Sequence, residues 1–227
     1  MSRILWVSMI FFSSTVSAQQ LFVETGKLIS RFNYENSGGE PPENIRPGSN
    51  TFIGAGVRKQ LSLSVPSLHG IFAAYYNQYS ASGSDTTYQN KYRWDVNYAS
   101  VNLGFDFEFF DGPNLVERRR GFTSYLRVMA STEFLFQGTQ TINNQEFDLL
   151  GKEQFDKPFI FLRGGLGSTY CVSKNLALFL QYTGGFSVGT LGKSSEDDEK
   201  LRIISHQIGL GVMISLGDCN YCYRGFR

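Results

Sequence analysis

The chain has 227 residues, and 21 Lys and Arg against 20 Asp and Glu leave a formal charge of +1. Such a balance excludes the basic face of a nucleic-acid binder. Three cysteines do not make a disulfide framework, and no stretch after the N-terminus approaches the roughly 18 consecutive apolar residues of a membrane-spanning helix.

The N-terminus reads as a secretory signal peptide over residues 1–18. Arg3 supplies the basic start, Ile4–Phe12 the short apolar run, and Val16-Ser17-Ala18 a small-residue cleavage site. Cleavage after Ala18 takes the mature chain out of the cytoplasm. No Cys stands at that point, so a lipoprotein anchor is not indicated.

The mature chain then divides into eight predicted strands. They run Leu21–Tyr34, Thr51–Ser64, His69–Ser82, Trp94–Phe110, Gly121–Gly138, Phe159–Val172, Asn175–Gly189 and Leu201–Gly217. Side chains alternate between the faces of a strand, so a period of two separates an apolar face from a polar one. The last pair shows it most clearly. Leu176, Leu178, Leu180, Tyr182, Phe186 and Val188 share one parity, with Ala177, Phe179, Gln181, Thr183 and Ser187 on the other. Ile204, His206, Ile208, Leu210, Val212 and Ile214 repeat the scheme against Ser205, Gln207, Gly209, Gly211, Met213 and Ser215. The third strand is aromatic on both faces, at Phe72, Tyr75, Tyr76 and Tyr79, and its orientation stays open. Lys59 interrupts the apolar face of the second strand and is assigned to snorkelling.

The connections alternate long and short. Glu35–Asn50, Gly83–Arg93, Thr139–Lys157 and the segment holding Lys193–Lys200 are the long polar ones. With an even strand number, all four fall at one end, the loop asymmetry of outer-membrane barrels. Alternation alone also fits a soluble lipocalin-type barrel with its apolar face inward. The polar face decides: strands six to eight offer Gly, Ser, Thr and Gln with one charge, Arg163, where a water-facing surface would be rich in charge. The expected fold is all-β, an eight-stranded antiparallel up-and-down transmembrane barrel over residues 19–217, with a short periplasmic tail, 218–227.

This layout resembles the small eight-stranded bacterial outer-membrane barrels of the OmpA-transmembrane and OmpX type and the PorT-like families. The resemblance rests on stretches such as Gly164-Gly165-Leu166-Gly167-Ser168-Thr169-Tyr170 and Leu176–Tyr182, and it is architectural. It implies an outer-membrane location, insertion by the barrel assembly machinery, and contact with outer-membrane lipids and lipopolysaccharide. The chain departs from such barrels at its end, where Asp218–Arg227 follows the last strand and Phe226 is penultimate.

Candidate site residues gather on the polar face: Lys27, Arg31, Arg58, Asp106, Glu108, Arg127, Glu133 and Arg163. Charges at membrane depth must pair, so these are expected to form an ion-pair network inside the barrel, with Arg127–Asp106 and Arg163–Glu133 as candidate pairs. Eight strands leave an interior that side chains can fill. A lumen plugged by these groups therefore points to a structural or surface-interaction role; a small channel for ions or solutes is the alternative. A lipid A-modifying enzyme would need a Ser–His pair. Only His69 and His206 are available, and Ser205 beside His206 points to the opposite face. No catalytic residue, metal or cofactor is assigned: Cys219-x-x-Cys222 lacks a second ligand pair, and a bridge within the tail or unpaired thiols is expected there and at Cys171. An extracellular partner could meet the long loops through Glu196–Glu199 or the aromatic Tyr88, Tyr92, Trp94 and Phe155. Arg118–Arg120 would lie at the periplasmic edge.

Overall fold

The computed structural model describes residues 19–35, 44–61, 64–65, 67–84, 90–109, 122–151, 158–173, 175–190 and 200–216. The proposed signal peptide, the tail with Cys219 and Cys222, Tyr88, Arg118–Arg120, Phe155 and Glu196–Glu199 lie outside them. The described residues form nine strands: β1 (Gln19–Glu35), β2 (Arg46–Gln60), β3 (Leu68–Ser84), β4 (Lys91–Glu108), β5 (Phe122–Ile142), β6 (Gln145–Asp148), β7 (Phe159–Cys171), β8 (Leu176–Thr190) and β9 (Lys200–Leu216). The pairing is antiparallel throughout and follows the chain, except that β5 pairs with β7 past the short β6, which pairs only with the end of β5. β1 pairs with β9, so the sheet closes on itself.

The register fixes the barrel's dimensions. Hydrogen-bonded partners lead from Gln19 to Lys59, Gly70, Phe105, Val128, Gly164, Gly184 and His206, then back to β1 at Ile29. The circuit ends ten residues further along β1 than it began, a shear of ten for eight strands. With ordinary strand spacings, that shear tilts the strands by about 40° from the axis.

Alternation then assigns the faces. Leu21, Val23, Ile53, Phe72, Leu103, Phe105, Leu126, Leu166, Leu180 and Leu210 point outward, and Leu103 and Leu210 each keep 61% of their surface exposed. An apolar belt of this extent around a whole molecule would aggregate in water and is at rest only in hydrocarbon. The outward face thus completes a transmembrane β-barrel.

The interior is less uniformly small than the sequence suggests. Phe22, Phe52, Tyr75, Tyr125, Phe161 and Phe179 are buried there. Glycines make room for these rings. A Cβ on Gly54 would lie 2.2 Å from the Tyr75 ring, on Gly167 2.2 Å from Tyr125, and on Gly211 2.2 Å from Phe179. Each large ring lies over a neighbouring strand at a position without a side chain.

Several expectations change. β3 turns His69, Ile71, Ala73, Tyr75, Asn77 and Tyr79 inward, which settles its orientation. The strands also extend well into the segments read as loops. Arg46–Asn50 belongs to β2, Gly83 and Ser84 to β3, and Lys91–Arg93 to β4. Most of the stretch read as the third loop is strand as well: β5 continues to Ile142, and Asn143 and Asn144, at φ 48° and 71°, make the turn into β6. Two successive left-handed residues match the twist of a two-residue hairpin, and asparagine tolerates that region. After β6, Leu149 buries itself and donates its N–H to the carbonyl of Gly138 (2.9 Å), at the loop end of the barrel. A register shift between Asn97 and Tyr98 bulges β5 near Phe136 and leaves Gln137, expected inside, exposed. Finally, Cys171 is disulfide-bonded. Neither an unpaired Cys171 nor a bridge confined to the tail agrees with that, since a tail-internal bridge would use both other cysteines.

Leu103→Arg tests the outward face. At this depth the change should cost about 2–4 kcal/mol in a bilayer, as the cation would meet hydrocarbon. Urea unfolding in lipid vesicles reads it; a cost within about 0.5 kcal/mol, as on a watery surface, would contradict the assignment.

Candidate functional site in the barrel interior

The polar side chains of the interior form three hydrogen-bonded groups stacked along the axis. The lowest, at the end with the short turns, centres on Asp106 of β4. Arg127 of β5 is its direct cross-strand partner and donates to it twice, Nε to Oδ1 at 2.8 Å and Nη2 to Oδ2 at 2.9 Å. Arg58 of β2 adds Nε to Oδ2 at 2.9 Å, and its other nitrogens reach Gln20 Oε1 at 2.8 Å and Glu108 Oε1 at 2.6 Å. Its Nη2 also lies 3.1 Å from His69 Nδ1. One carboxylate thus holds two guanidiniums. Asp106 is fully buried, and Arg58 and Arg127 are each 1% exposed.

Rings complete the surroundings of these cations. The Arg127 guanidinium lies 5.2 Å from the Tyr125 ring centre and 5.5 Å from that of Phe22. Its Nη1 has no hydrogen-bond partner among the described residues, so the electron-rich ring faces are what it meets.

The middle group is built on Glu24 of β1. Its carboxylate accepts from the Tyr75 hydroxyl and from Gln181 Nε2 (2.5 Å), and Gln181 in turn accepts from the Tyr125 hydroxyl at 3.0 Å. The third group centres on Glu133 of β5. It accepts from Arg163 Nη2 at 2.5 Å, from Tyr79 Oη at 2.8 Å and from Asn77 Nδ2 at 3.1 Å. Arg163 also donates to Tyr79 Oη (2.7 Å) and to Ser131, and its guanidinium lies 4.6 Å from the Phe161 ring centre. Gln207 of β9 ties in through Asn77 Oδ1 at 3.1 Å. Toward the loop end the polar groups give way to an apolar cluster containing Phe32, Tyr98, Phe159, Phe161 and Ile203. There Tyr79 stacks on Phe161 and meets Tyr98 edge-on.

Six of the eight candidate residues therefore point inward: Arg58, Asp106, Glu108, Arg127, Glu133 and Arg163 are brought into two of these groups. Lys27 and Arg31 are a correction. Both are exposed on the outer face, because β1 buries its even positions, Gln20, Phe22, Glu24, Leu28, Ser30 and Phe32. Leu21 and Val23 share the parity of Lys27, while Phe22, Leu28 and Phe32 share that of Glu24, so hydrophobicity alone does not separate the two faces of β1. Glu24, Gln20, Tyr75, Tyr79 and Gln181 also belong to the interior groups and were not expected among them. Of the two histidines, His69 belongs to the interior. His206 is exposed outside with its Nδ1 2.6 Å from the Tyr182 hydroxyl, and neighbouring Ser205 is buried on the opposite face.

No family model matches the chain, and no curated protein does. Similar solved structures are barrels. Neisserial surface protein A is 14% identical, with TM-score 0.47, over 86% of this chain and 96% of that one. The outer membrane protease OmpT of Escherichia coli is 9% identical, with TM-score 0.48, over 89% and 98%. The outer membrane protein OprG of Pseudomonas aeruginosa is 13% identical, with TM-score 0.47, over 87% and 96%.

Replacing Asp106 with Ala would strand two buried guanidiniums. A loss of about 3–5 kcal/mol is expected, the scale of a buried pair broken on one side. Urea titration of the refolded barrel measures it. The fourfold change Arg58→Met, Asp106→Leu, Glu108→Gln, Arg127→Met should recover a large part of that loss, because no ion of this group is then left alone.

Proposed function

We propose that the protein is an outer-membrane barrel whose interior is a packed, ion-paired plug. Its role is structural or surface-interacting rather than catalytic or conductive. The observation carrying this reading is the Arg58–Asp106–Arg127 bridge, which joins β2, β4 and β5 across the interior with every charge held by its neighbours. An ion moving along the axis would have to break charge-assisted bonds there, then pass the Glu133–Arg163–Tyr79 group and the aromatic cluster above it. The short-turn end then faces the periplasm and the long-loop end the outside, with lipopolysaccharide around the rim. Interaction falls to the elements above the membrane. Tyr92 and Trp94 stack there with ring centres 5.8 Å apart, next to the rigid Asn143-Asn144 hairpin, a surface suited to an extracellular partner. Against an enzyme of the Ser–His kind stands the pairing of His206 with Tyr182 and its separation from Ser205 by the sheet itself.

Single-channel recording on the refolded protein in a planar bilayer tests the plug, with the gel shift between unboiled and boiled samples reporting folding. A folded barrel should be silent at ordinary salt. Discrete conductance steps that change size in Arg127→Gln or Glu133→Gln would make it a small channel instead.

A further inference from the structure

Among the described residues the outward face carries a gap on β7 and β8. Gly164 of β7 and Gly184 of β8 are hydrogen-bonded partners on the membrane side, and the next residue in that row is His206 of β9. A Cβ on Gly164 would meet one backbone oxygen at 3.8 Å, and one on Gly184 would meet nothing closer than His206 Nδ1 and Tyr182 Oη at 3.7 Å. This differs from Gly54, Gly167 and Gly211 in the interior, whose missing side chains make way for rings. The row above carries Leu162 and Phe186, and the row below carries Leu166 and Tyr182, all exposed. The result is a notch two strands wide with apolar walls. Glycine inside a strand often marks a close approach by something else, and among the described residues nothing makes that approach here.

One end of the notch is polar. The Tyr182 and His206 rings stack with centres 6.0 Å apart, and Tyr182 Oη holds Nδ1 at 2.6 Å. Either group can donate in that bond; where the Tyr182 hydroxyl donates, the ring proton sits on Nε2, which has no partner among the described residues. Two cations stand beside it on β1. Lys27 continues the row of Tyr182 through Ile208, and Arg31 continues the row of Phe186 through Ile204. Polar side chains facing lipid are costly unless they reach headgroups. His206 pairs with Ile29, so Lys27 and Arg31 each lie two residues from it along β1, one to either side, and four residues from each other. Their spacing suits an anion with several oxygens, and the notch beside them suits an alkyl chain.

We infer that this face holds one lipopolysaccharide molecule through its lipid A, with an acyl chain in the Gly164–Gly184 notch and a phosphate against His206 Nε2, Lys27 and Arg31. The assignment rests on the outer-membrane reading above, which places this end of the barrel in the outer leaflet. Charge complementarity and the doubly amphipathic shape, anion beside alkyl chain, commit it to a phosphorylated acylated lipid. The unfilled backbone supplies van der Waals contact along the chain that ordinary packed lipid faces lack.

Native mass spectrometry of the full-length barrel in mild detergent, titrated with bis-phosphorylated lipid A, tests the inference. One equivalent should bind ahead of phosphatidylglycerol. The double variants Gly164→Leu/Gly184→Leu and Lys27→Gln/Arg31→Gln should each weaken binding by about tenfold or more, as should removal of the lipid's phosphates. The open space at both glycines lets the leucines in without displacing the backbone, and the gel shift verifies folding. Equal binding of phosphatidylglycerol, or wild-type affinity in both variants, would overturn the inference. So would a dimer of this chain that the leucine variant abolishes while lipid A binding persists. A silent barrel that ignores lipid A would sink this inference alone, and a conducting barrel that binds lipid A would sink the plug alone.

Discussion

A sheet in hydrocarbon cannot leave an edge unpaired, because nothing in that solvent takes up the free N–H and C=O groups. The β1–β9 pairing answers that constraint, and much else follows from it. Eight strands closed with a shear of ten have one possible interior width, and whatever points inward must fill it. The sequence meets this with large rings set over missing side chains, Tyr75 over Gly54 and Phe179 over Gly211. Packing of that kind couples neighbouring strands through the interior as well as through the backbone. It also explains why glycine is abundant in strands that would otherwise be weakened by it.

The buried charges obey the same economy of space. Three guanidiniums stand in the interior, and each is spread over several oxygens and at least one ring. A planar guanidinium suits this, since it can donate in a fork to one carboxylate while its face lies on an aromatic, and it is less strongly hydrated than an ammonium. The lysine of β1 is on the outside, where a long flexible stem can carry its charge to a headgroup. Arg31 stands outside beside Lys27, so the preference concerns the interior alone, where the buried Lys and Arg side chains among the described residues are all arginines.

How far the sequence revealed this depends on how clean the alternation is. In β4, β8 and β9 every second residue is apolar for long stretches, so both faces could be read at once. In β1 the apolar residues Phe22, Leu28 and Phe32 share the inward parity with Glu24, while Leu21 and Val23 share the outward parity with Lys27 and Arg31. Hydrophobicity there reports two different surroundings, lipid and packed interior, and loses its power to tell them apart. β3 failed for the same reason, with Phe72 outside and Tyr75 inside. The β5–β6 hairpin was hidden by polarity: Gln, Thr and Asn dominate its tip, and only the paired asparagines hinted at a turn. The disulfide at Cys171 was invisible because spacing along a chain says nothing of which strand ends meet.

What the chain can do is narrowed by where its side chains already have partners. Apart from Arg127 Nη1 and Arg163 Nε, the interior side-chain groups described above are engaged with one another, so recognition of another molecule is left to surfaces outside them. Two such surfaces stand out. The stacked Tyr92 and Trp94 stand above the belt on β4, half-buried, Trp94 against the interior cluster and the Tyr92 hydroxyl accepting from Asn90 Nδ2. The β7–β8–β9–β1 flank combines vacant volume with cations at one level, while on the opposite flank Val101, Leu103, Phe105 and Phe107 present an unbroken apolar surface. That asymmetry is hard to attribute to stability, since cations facing lipid and unfilled backbone both weaken a barrel. A feature that costs stability and recurs within one small area is more economically assigned to contact with something outside the chain.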